Sequence, residues 1–444
     1  MTTALRSILR IFGSFLGLAA VASAQSLISL PNVTNGGNAG VVTSFAVSGT
    51  TLYIGGTFDT VGGESRSNLA AINLTNGAVL SWNPGASSTV YGLGLSGDGS
   101  TLYAGGDFTT LGGSSRNYLG AVSTATGSAT GWNPDLNGGV NAMTVNAATG
   151  TVFAVGSFST ASAGGVTANR VVGVTSGGTV TGYAGSTTFN GSDYRSIGTS
   201  TDGSTLYLAH IGTKSWDAAA GGTASRPGFS ALRTSDFLAT AFNPSLQEGI
   251  FASPGQSLAV SGNTLYIGGQ FGNVDGTSGV SVGTTREHLA KYNMTGTGED
   301  GTLDTTFAPT SSANGPNTGS IRGITVINGN VYVLGGFTSY AGETLGGVAK
   351  LDPTTGAVDP TYLVTTSSSG AFNGSPTYSF GDTTNGYLFI SASAINGTTV
   401  LGAVQTNSFI VLSTPSAVPE PSTYAAIGGL LALGAVLWRR RRAV

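Results

Sequence analysis

A short apolar motif that returns seven times constrains this chain more than any other feature. The copies are "TLYIGGTF" from residue 51, "TLYAGGDF" from 101, "TVFAVGSF" from 151, "TLYLAHIG" from 205, "TLYIGGQF" from 264, "NVYVLGGF" from 330 and "GYLFISAS" from 386. The first three recur every 50 residues, and the later spacings lie between 54 and 66. A repeat near 50 residues predicts a propeller or a solenoid.

The unit at 90–134 shows what each copy contains. "VYGLGLS" alternates apolar and small residues and ends at "GDGS", a hairpin signal that leads into "TLYAGGDF". "YLGAVST", a turn at "ATG" and "SATGWNP" complete it. Four strands without a helical period indicate a propeller blade, so the sequence predicts an all-β, seven-bladed β-propeller with four-stranded blades. The predicted blades are 41–84, 90–134, 140–190, 194–244, 256–309, 320–362 and 376–414.

Two segments are candidates for closing this ring. "LISLPN" at 27–32 resembles "VLSWNP" at 79–84, which predicts that the N-terminal segment pairs with the last blade. Alternatively, "FIVL" at 409–412 supplies the outermost strand itself. Either solution removes the free edge that an open ring would leave.

The repeat resembles the delta-60 type of bacterial β-propeller, in which "LYVGG-F", "GG-x-x-R-N-x-L" and "FNP" segments succeed one another. The resemblance covers nearly all of 41–404 and weakens in the fourth, sixth and seventh copies. It implies a fold much more than an activity.

Glycines and phenylalanines that recur in the motif are interpreted as structural. Paired glycines permit close backbone approach or a bulge, and the phenylalanines pack between blades. The glycines are Gly55 and Gly56, Gly105 and Gly106, Gly268 and Gly269, and Gly335 and Gly336; the phenylalanines are Phe58, Phe108, Phe158, Phe271 and Phe337.

Five arginines are assigned to one position between the second and third strands, and they form the candidate ligand or structural ring Arg66, Arg116, Arg170, Arg226 and Arg286. In the structural interpretation each guanidinium ties its loop to backbone carbonyls. In the functional one the ring binds an anionic polysaccharide or phosphate. The same face carries the irregular segments 245–256, 310–321 and 361–376, where binding usually resides.

Catalytic motifs are scarce. The chain has no cysteine and two histidines, His210 and His288, each interpreted as an ordinary residue of the fold. Acidic stretches at Glu299–Asp304 and around Asp98 lack EF-hand spacing and are explained by turn chemistry. The sequence predicts no catalytic residue, no metal and no cofactor.

The N-terminus is typical of a signal peptide over 1–24. Arg6 and Arg10 precede an apolar stretch, and Ala22 and Ala24 occupy the small-residue cleavage positions. The alternative is a short buried helix.

The C-terminus joins a linker at 415–423, an apolar helix at 424–438 and a basic tail at 439–444. The four arginines Arg439, Arg440, Arg441 and Arg442 act as a membrane stop and favour a cytoplasmic C-terminus. "VPEPST", the short apolar segment and the arginine cluster resemble the PEP-CTERM sorting signal of Gram-negative, polysaccharide-producing bacteria. That resemblance implies recognition of Pro419, Glu420 and Pro421 by an exosortase, a membrane protease, with the helix as a transient inner-membrane anchor. A permanent tail anchor is the alternative.

Between the two ends, 25–417 holds eleven basic and nineteen acidic residues, which argues against a nucleic-acid partner. The sequence therefore predicts an exported propeller at the cell surface or in the extracellular matrix, with a structural, adhesive or glycan-binding role and an exopolysaccharide as a candidate partner. The alternative is a secreted polysaccharide lyase or hydrolase with its site at the channel mouth.

Overall fold

The computed structural model describes residues 30–161, 165–183, 194–218, 223–248, 255–274, 284–286, 288–295, 299–309, 320–337, 339–340, 343–344, 347–363, 378–382, 387–391, 403–405 and 409–413. Every regular element in these ranges is a β-strand. The signal peptide with Ala22 and Ala24, the sorting triplet, the apolar C-terminal segment and the four terminal arginines lie outside them.

Seven main antiparallel sheets follow one another along this described part of the chain. Each has an inner strand, a second strand that returns beside it and a third strand. The inner strand of each sheet contacts that of the next, and the inner strand of the seventh contacts that of the first. The sheets therefore surround a central channel.

The inner strands are Val41–Ser48, Val90–Leu95, Val140–Val145, Tyr194–Thr199, Gly255–Ser261, Ile321–Ile327 and Tyr378–Asp382. The second strands are Thr51–Thr57, Thr101–Gly106, Val152–Gly156, Thr205–Asp217, Thr264–Gly269, Asn330–Gly335 and Tyr387–Ser391. The third strands are Leu69–Asn73, Leu119–Ser123, Val171–Val174, Thr223–Arg233, Leu289–Met294, Val348–Leu351 and Phe409–Ser413.

Outer strands complete four of the sheets and are Val180–Gly182, Gly301–Leu303, Val358–Leu363 and Ala403–Gln405. In the first, second and fourth sheets the predicted fourth strand is instead reduced to one bridge, such as Ile72 with Val79. The chain there leaves the sheet for the next blade. Trp82 Nε1 donates to Ser123 O at 3.0 Å in the second sheet, which fixes that exit.

Further short strands lie in the connections: Val33–Asn35, Asn38–Ala39, Thr60–Val61, Glu64–Ser65, Thr110–Leu111, Ser114–Ser115, Thr160–Ala161, Val166–Thr167, Gln247–Glu248, Phe271–Val274, Thr284–Thr285, Ser339–Tyr340 and Glu343–Thr344. Several form a hairpin between the second and third strands that the sequence analysis missed. In the first blade Gly62 and Gly63 turn this hairpin with φ of 59° and 84°, the conformation of a type I′ turn.

Packing of the last sheet against the first closes the described ring. Phe45 stacks on Phe389 with ring centroids 5.7 Å apart, and Val411 belongs to the same core cluster. Phe409–Ser413 pairs with the second strand, and Ala403–Gln405 lies outside it, so the interpretation of "FIVL" as the outermost strand is wrong. Residues 27–29 lie outside the described residues, and Asn32 O accepts a hydrogen bond from Gly62 N in the first blade.

The five recurring phenylalanines pack between blades, as predicted. Each is at most 2% exposed. Phe108, for example, lies in one cluster with Tyr53 and Trp82 of the first blade and Leu102 of the second. Phe158, Phe271 and Phe337 occupy the corresponding places further round.

A β-bulge at the start of the inner strand explains one glycine of each pair. Val42 pairs with Gly56 and Ser44 with Gly55, which leaves Thr43 as the extra residue. A Cβ on Gly56 would lie 2.0 Å from Val41 O, so only glycine allows the carbonyl to approach. Gly106 and Gly156 meet the same constraint. In the sixth sheet the position belongs to Gly335 alone, opposite Ile321.

We expect Gly56→Ala to lower the free energy of unfolding by about 1–3 kcal/mol, because the strands must separate to admit the methyl group. Gly97→Ala is the matched control, since a Cβ there meets nothing within 4 Å and φ is not positive. Thermal and urea melts compare the two variants. Equal melts would show that the bulge does not depend on glycine.

Candidate functional site at the mouth of the central channel

The bulge recurs in the first six sheets, at the start of each inner strand. The extra residues at the register shift are Thr43, Tyr91, Asn141, Arg195, Gln256 and Arg322. All six line one cavity of about 430 Å³. We call them the bulge ring.

Each bulge residue is followed by a small residue and then by a large apolar one, as in Arg195-Ser196-Ile197. The large residues are Phe45, Leu93, Met143, Ile197, Leu258 and Ile324, and they line the same cavity below the bulge ring. The cavity therefore has a polar rim and an apolar floor. A second space of about 400 Å³, lined largely by apolar residues such as Val145, Val260 and Val326, continues along the inner strands.

The rim is cationic. Arg195 and Arg322 are both exposed, and the residues described around the cavity include no aspartate, glutamate or histidine. Arg322 Nε donates to Ser320 Oγ at 3.4 Å. The three ion pairs found among the described residues involve Arg233, Lys291 and Lys350, so neither rim arginine is neutralised by a carboxylate there.

The arginines predicted to form a ring lie in the connecting hairpins, away from this cavity lining. Arg66 Nη1 donates to Ser65 O and its Nη2 to Leu80 O, both at 2.7 Å. Arg226 makes the corresponding bonds to Ser225 O at 3.2 Å and Thr240 O at 2.6 Å. These contacts tie the hairpin to the outer edge of the same blade, which supports the structural interpretation.

Two more members of the set follow this arrangement. Arg116 bonds to Ser115 O and Thr130 O, and Arg286 Nη2 donates to Thr305 O at 3.3 Å. Arg66, Arg226 and Arg286 are each 8% exposed, so their guanidinium groups are largely closed to a ligand.

Arg170 does not share this position. Its amide donates to Phe158 O, as the amides of Asn68 and His288 donate to Phe58 O and Phe271 O. It also has their left-handed backbone, with φ of 65°. In the third blade Ala168 occupies the position that Arg66 occupies in the first. The amide of Ala168 donates to Ser159 O, and the amide of Arg66 makes the corresponding bond to Asp59 O. The predicted alignment was wrong by two residues here.

We expect Arg66→Ala to lower the free energy of unfolding by about 1–3 kcal/mol, because it removes a largely buried side chain and its two charged hydrogen bonds to backbone carbonyls. Arg195→Ala removes the same charge from an exposed rim position and should leave stability unchanged. Urea denaturation of both variants provides the test. Equal losses of stability would contradict the separation of hairpin arginines from rim arginines.

His210 is a buried residue of the fourth sheet with satisfied hydrogen bonds. It pairs with Tyr194 at the position of the bulge glycine, as predicted. Its Nδ1 lies 3.1 Å from Gly212 O and its Nε2 2.8 Å from Ser230 Oγ, which also accepts from Trp216 Nε1. Burial, with a contribution from Lys214, lowers the pKa of His210 to about 3, so the ring stays neutral. Its contacts are those of a structural residue.

The acidic stretches are held by turn contacts. Hydrogen bonds from Ser96 and then Ser100 lower the pKa of Asp98 to about 2. Asp304 pairs with Lys291 at 2.9 Å and accepts from Thr306. Within the described ranges no three histidine, aspartate or glutamate residues are grouped to hold a metal ion.

Two family models match segments of this chain. The family model of the PEP-CTERM protein-sorting motif matches residues 417–442. A second model, a domain of unknown function (DUF5122) described as a beta-propeller, matches residues 328–362. These matches confirm the resemblance to a sorted propeller-repeat protein.

A solved beta-propeller domain shares the fold at very low sequence identity. The beta-propeller domain of Myceliophteria thermophila Cps50 (Swd1) is 9% identical with a TM-score of 0.50, over 86% of this chain and 98% of that one. The computationally designed Ika8 protein is 12% identical with a TM-score of 0.46, over 87% and 89%. No curated protein matches the chain. Among the described residues no helix is long and apolar enough to cross a membrane.

Proposed function

We propose that this protein is an exported seven-bladed propeller that acts at the cell surface or in the extracellular matrix as a structural, adhesive or glycan-binding protein. The PEP-CTERM motif indicates export and processing by an exosortase-type enzyme. The proposal is supported by one combination of features. The chain has this sorting motif, and the channel mouth of its propeller presents arginine, amide and hydroxyl groups.

The proposed layout assigns 1–24 to a signal peptide, 25–414 to the propeller, 415–423 to the linker, 424–438 to a temporary inner-membrane helix and 439–444 to a cytoplasmic tail. The sorting enzyme recognises Pro419, Glu420 and Pro421. Release after this recognition would free the propeller from the membrane. An exopolysaccharide is the proposed partner outside the cell.

A lyase or hydrolase is the alternative function. Glycoside hydrolysis requires two carboxyl groups that flank the bond to be cleaved. The described residues of the mouth offer cations and amides instead. This composition supports a binding or scaffolding role over catalysis.

Changing Pro419, Glu420 and Pro421 together to alanine should retain the full-length chain in the membrane fraction. The native chain, expressed in a polysaccharide-secreting bacterium that carries an exosortase, should be shortened and appear outside the cell. Pro415→Ala is the matched control, because it changes a nearby proline outside the matched segment. Fractionation with immunoblotting distinguishes the outcomes. Equal release of the triple variant would contradict the sorting role.

A further inference from the structure

Two described arginines are exposed at the cavity rim without a carboxylate in an ion pair, although Arg322 Nε donates to Ser320 Oγ. Arg66, Arg116, Arg226 and Arg286 hold backbone carbonyls, and Arg233 pairs with Asp236. Arg170 occupies the left-handed position beside Tyr194. The remaining two, Arg195 and Arg322, both belong to the bulge ring and flank Gln256 along it.

These two side chains are directed by the backbone. A bulge bends its strand and re-aims the extra residue, and bulges are frequent beside functional sites. In the other sheets the same bulge carries an uncharged residue, so the bulge itself does not require arginine. Nothing in the local fold explains why a cation stands at two of the six positions.

Two guanidinium groups at one concave rim form a site for an anion. The described lining contains no carboxylate, and the body of the chain has a net negative charge. Guanidinium groups match carboxylates through paired hydrogen bonds, and a concave site focuses their field. An acidic group is therefore the ligand component that the rim fits.

The rest of the cavity indicates a sugar. Tyr91, Asn141 and Gln256 supply phenol and amide groups along the rim, suited to hydroxyls. Leu93, Ile197 and Leu258 form part of an apolar floor that can contact the C–H face of a pyranose ring. A volume of about 430 Å³ is in the range of organic-ligand pockets. An inorganic anion would use neither the floor nor most of this volume.

We propose that the channel mouth binds a carboxylate-bearing sugar residue of an acidic polysaccharide. Arg195 and Arg322 hold the carboxylate, Tyr91, Asn141 and Gln256 bind hydroxyls, and the apolar floor contacts the ring. This inference rests on the proposed glycan-binding function and names the ligand class and its site.

The test is calorimetric titration of the full chain in mild detergent with glucuronate, glucose and inorganic phosphate. Glucuronate and glucose differ at the carboxylate that the arginines would recognise. We expect glucuronate to bind and glucose and phosphate to bind at least roughly tenfold more weakly. Arg195→Gln and Arg322→Gln should each weaken glucuronate binding by about tenfold with unchanged melting.

Arg233→Gln is the control, because it removes an equal charge that is paired with Asp236 outside the cavity lining. Equal binding of glucose or phosphate, or equal loss in Arg233→Gln, would overturn the proposal. Co-sedimentation with a polyglucuronate-containing exopolysaccharide and with a neutral one is run in parallel. Sedimentation that persists in Arg195→Gln/Arg322→Gln would overturn the site and leave the glycan-binding function standing, whereas no sedimentation with either polymer would count against both.

Discussion

The architecture depends on the close approach of two backbone segments at the start of an inner strand, which occurs at Gly56, Gly106, Gly156 and Gly335. Where the second strand carries Gly56, the carbonyl of Val41 occupies the space that a Cβ would need, and the inner strand gains one extra residue. That extra residue lines the channel, and it is followed by a small residue and then by a large apolar one. One local constraint, repeated around the ring, thus gives close packing at the axis and a polar rim above an apolar floor.

The arginines divide according to what surrounds their guanidinium groups. In the hairpins the fork of donors is used by carbonyls of the same blade, as Arg226 shows with Ser225 and Thr240. Such a group, largely buried, has little capacity left for a ligand. At the rim the same side chain has no carboxylate beside it among the described residues and stands at the opening of a cavity. Arginines that recur at the same position of successive blades therefore have a structural role, whereas the rim arginines, which do not recur in every blade, are the candidates for ligand binding.

The sequence was sufficient to predict those features for which the same amino acid recurs in successive blades. The motif predicted an all-β propeller, the bulge glycines and the buried phenylalanines, because each blade solves the same packing problem. The sequence was insufficient to predict positions that are equivalent in the structure but carry different amino acids in each blade. The bulge ring contains threonine, tyrosine, asparagine, arginine and glutamine, so no common letter marks it, although alignment of "VTSF", "YRSI" and "IRGI" could have found it. Arg170 was assigned to the arginine position of the other blades, although it lies two residues beyond it. Only the backbone hydrogen bond of Ala168 shows which residue of the third blade is equivalent to Arg66.

The chain contains no cysteine, which allows the central claim to be tested directly by cross-linking. If the bulge places Arg195 and Arg322 at one channel mouth, a double variant with cysteine at both positions should be linked within one molecule by a short bifunctional thiol reagent. The pair Arg195→Cys and Arg233→Cys should not be linked, because Arg233 lies outside the cavity lining. Rapid linking of the first pair alone in the folded protein, lost in urea, is the predicted result. Linking of the first pair no faster than the second would contradict the account.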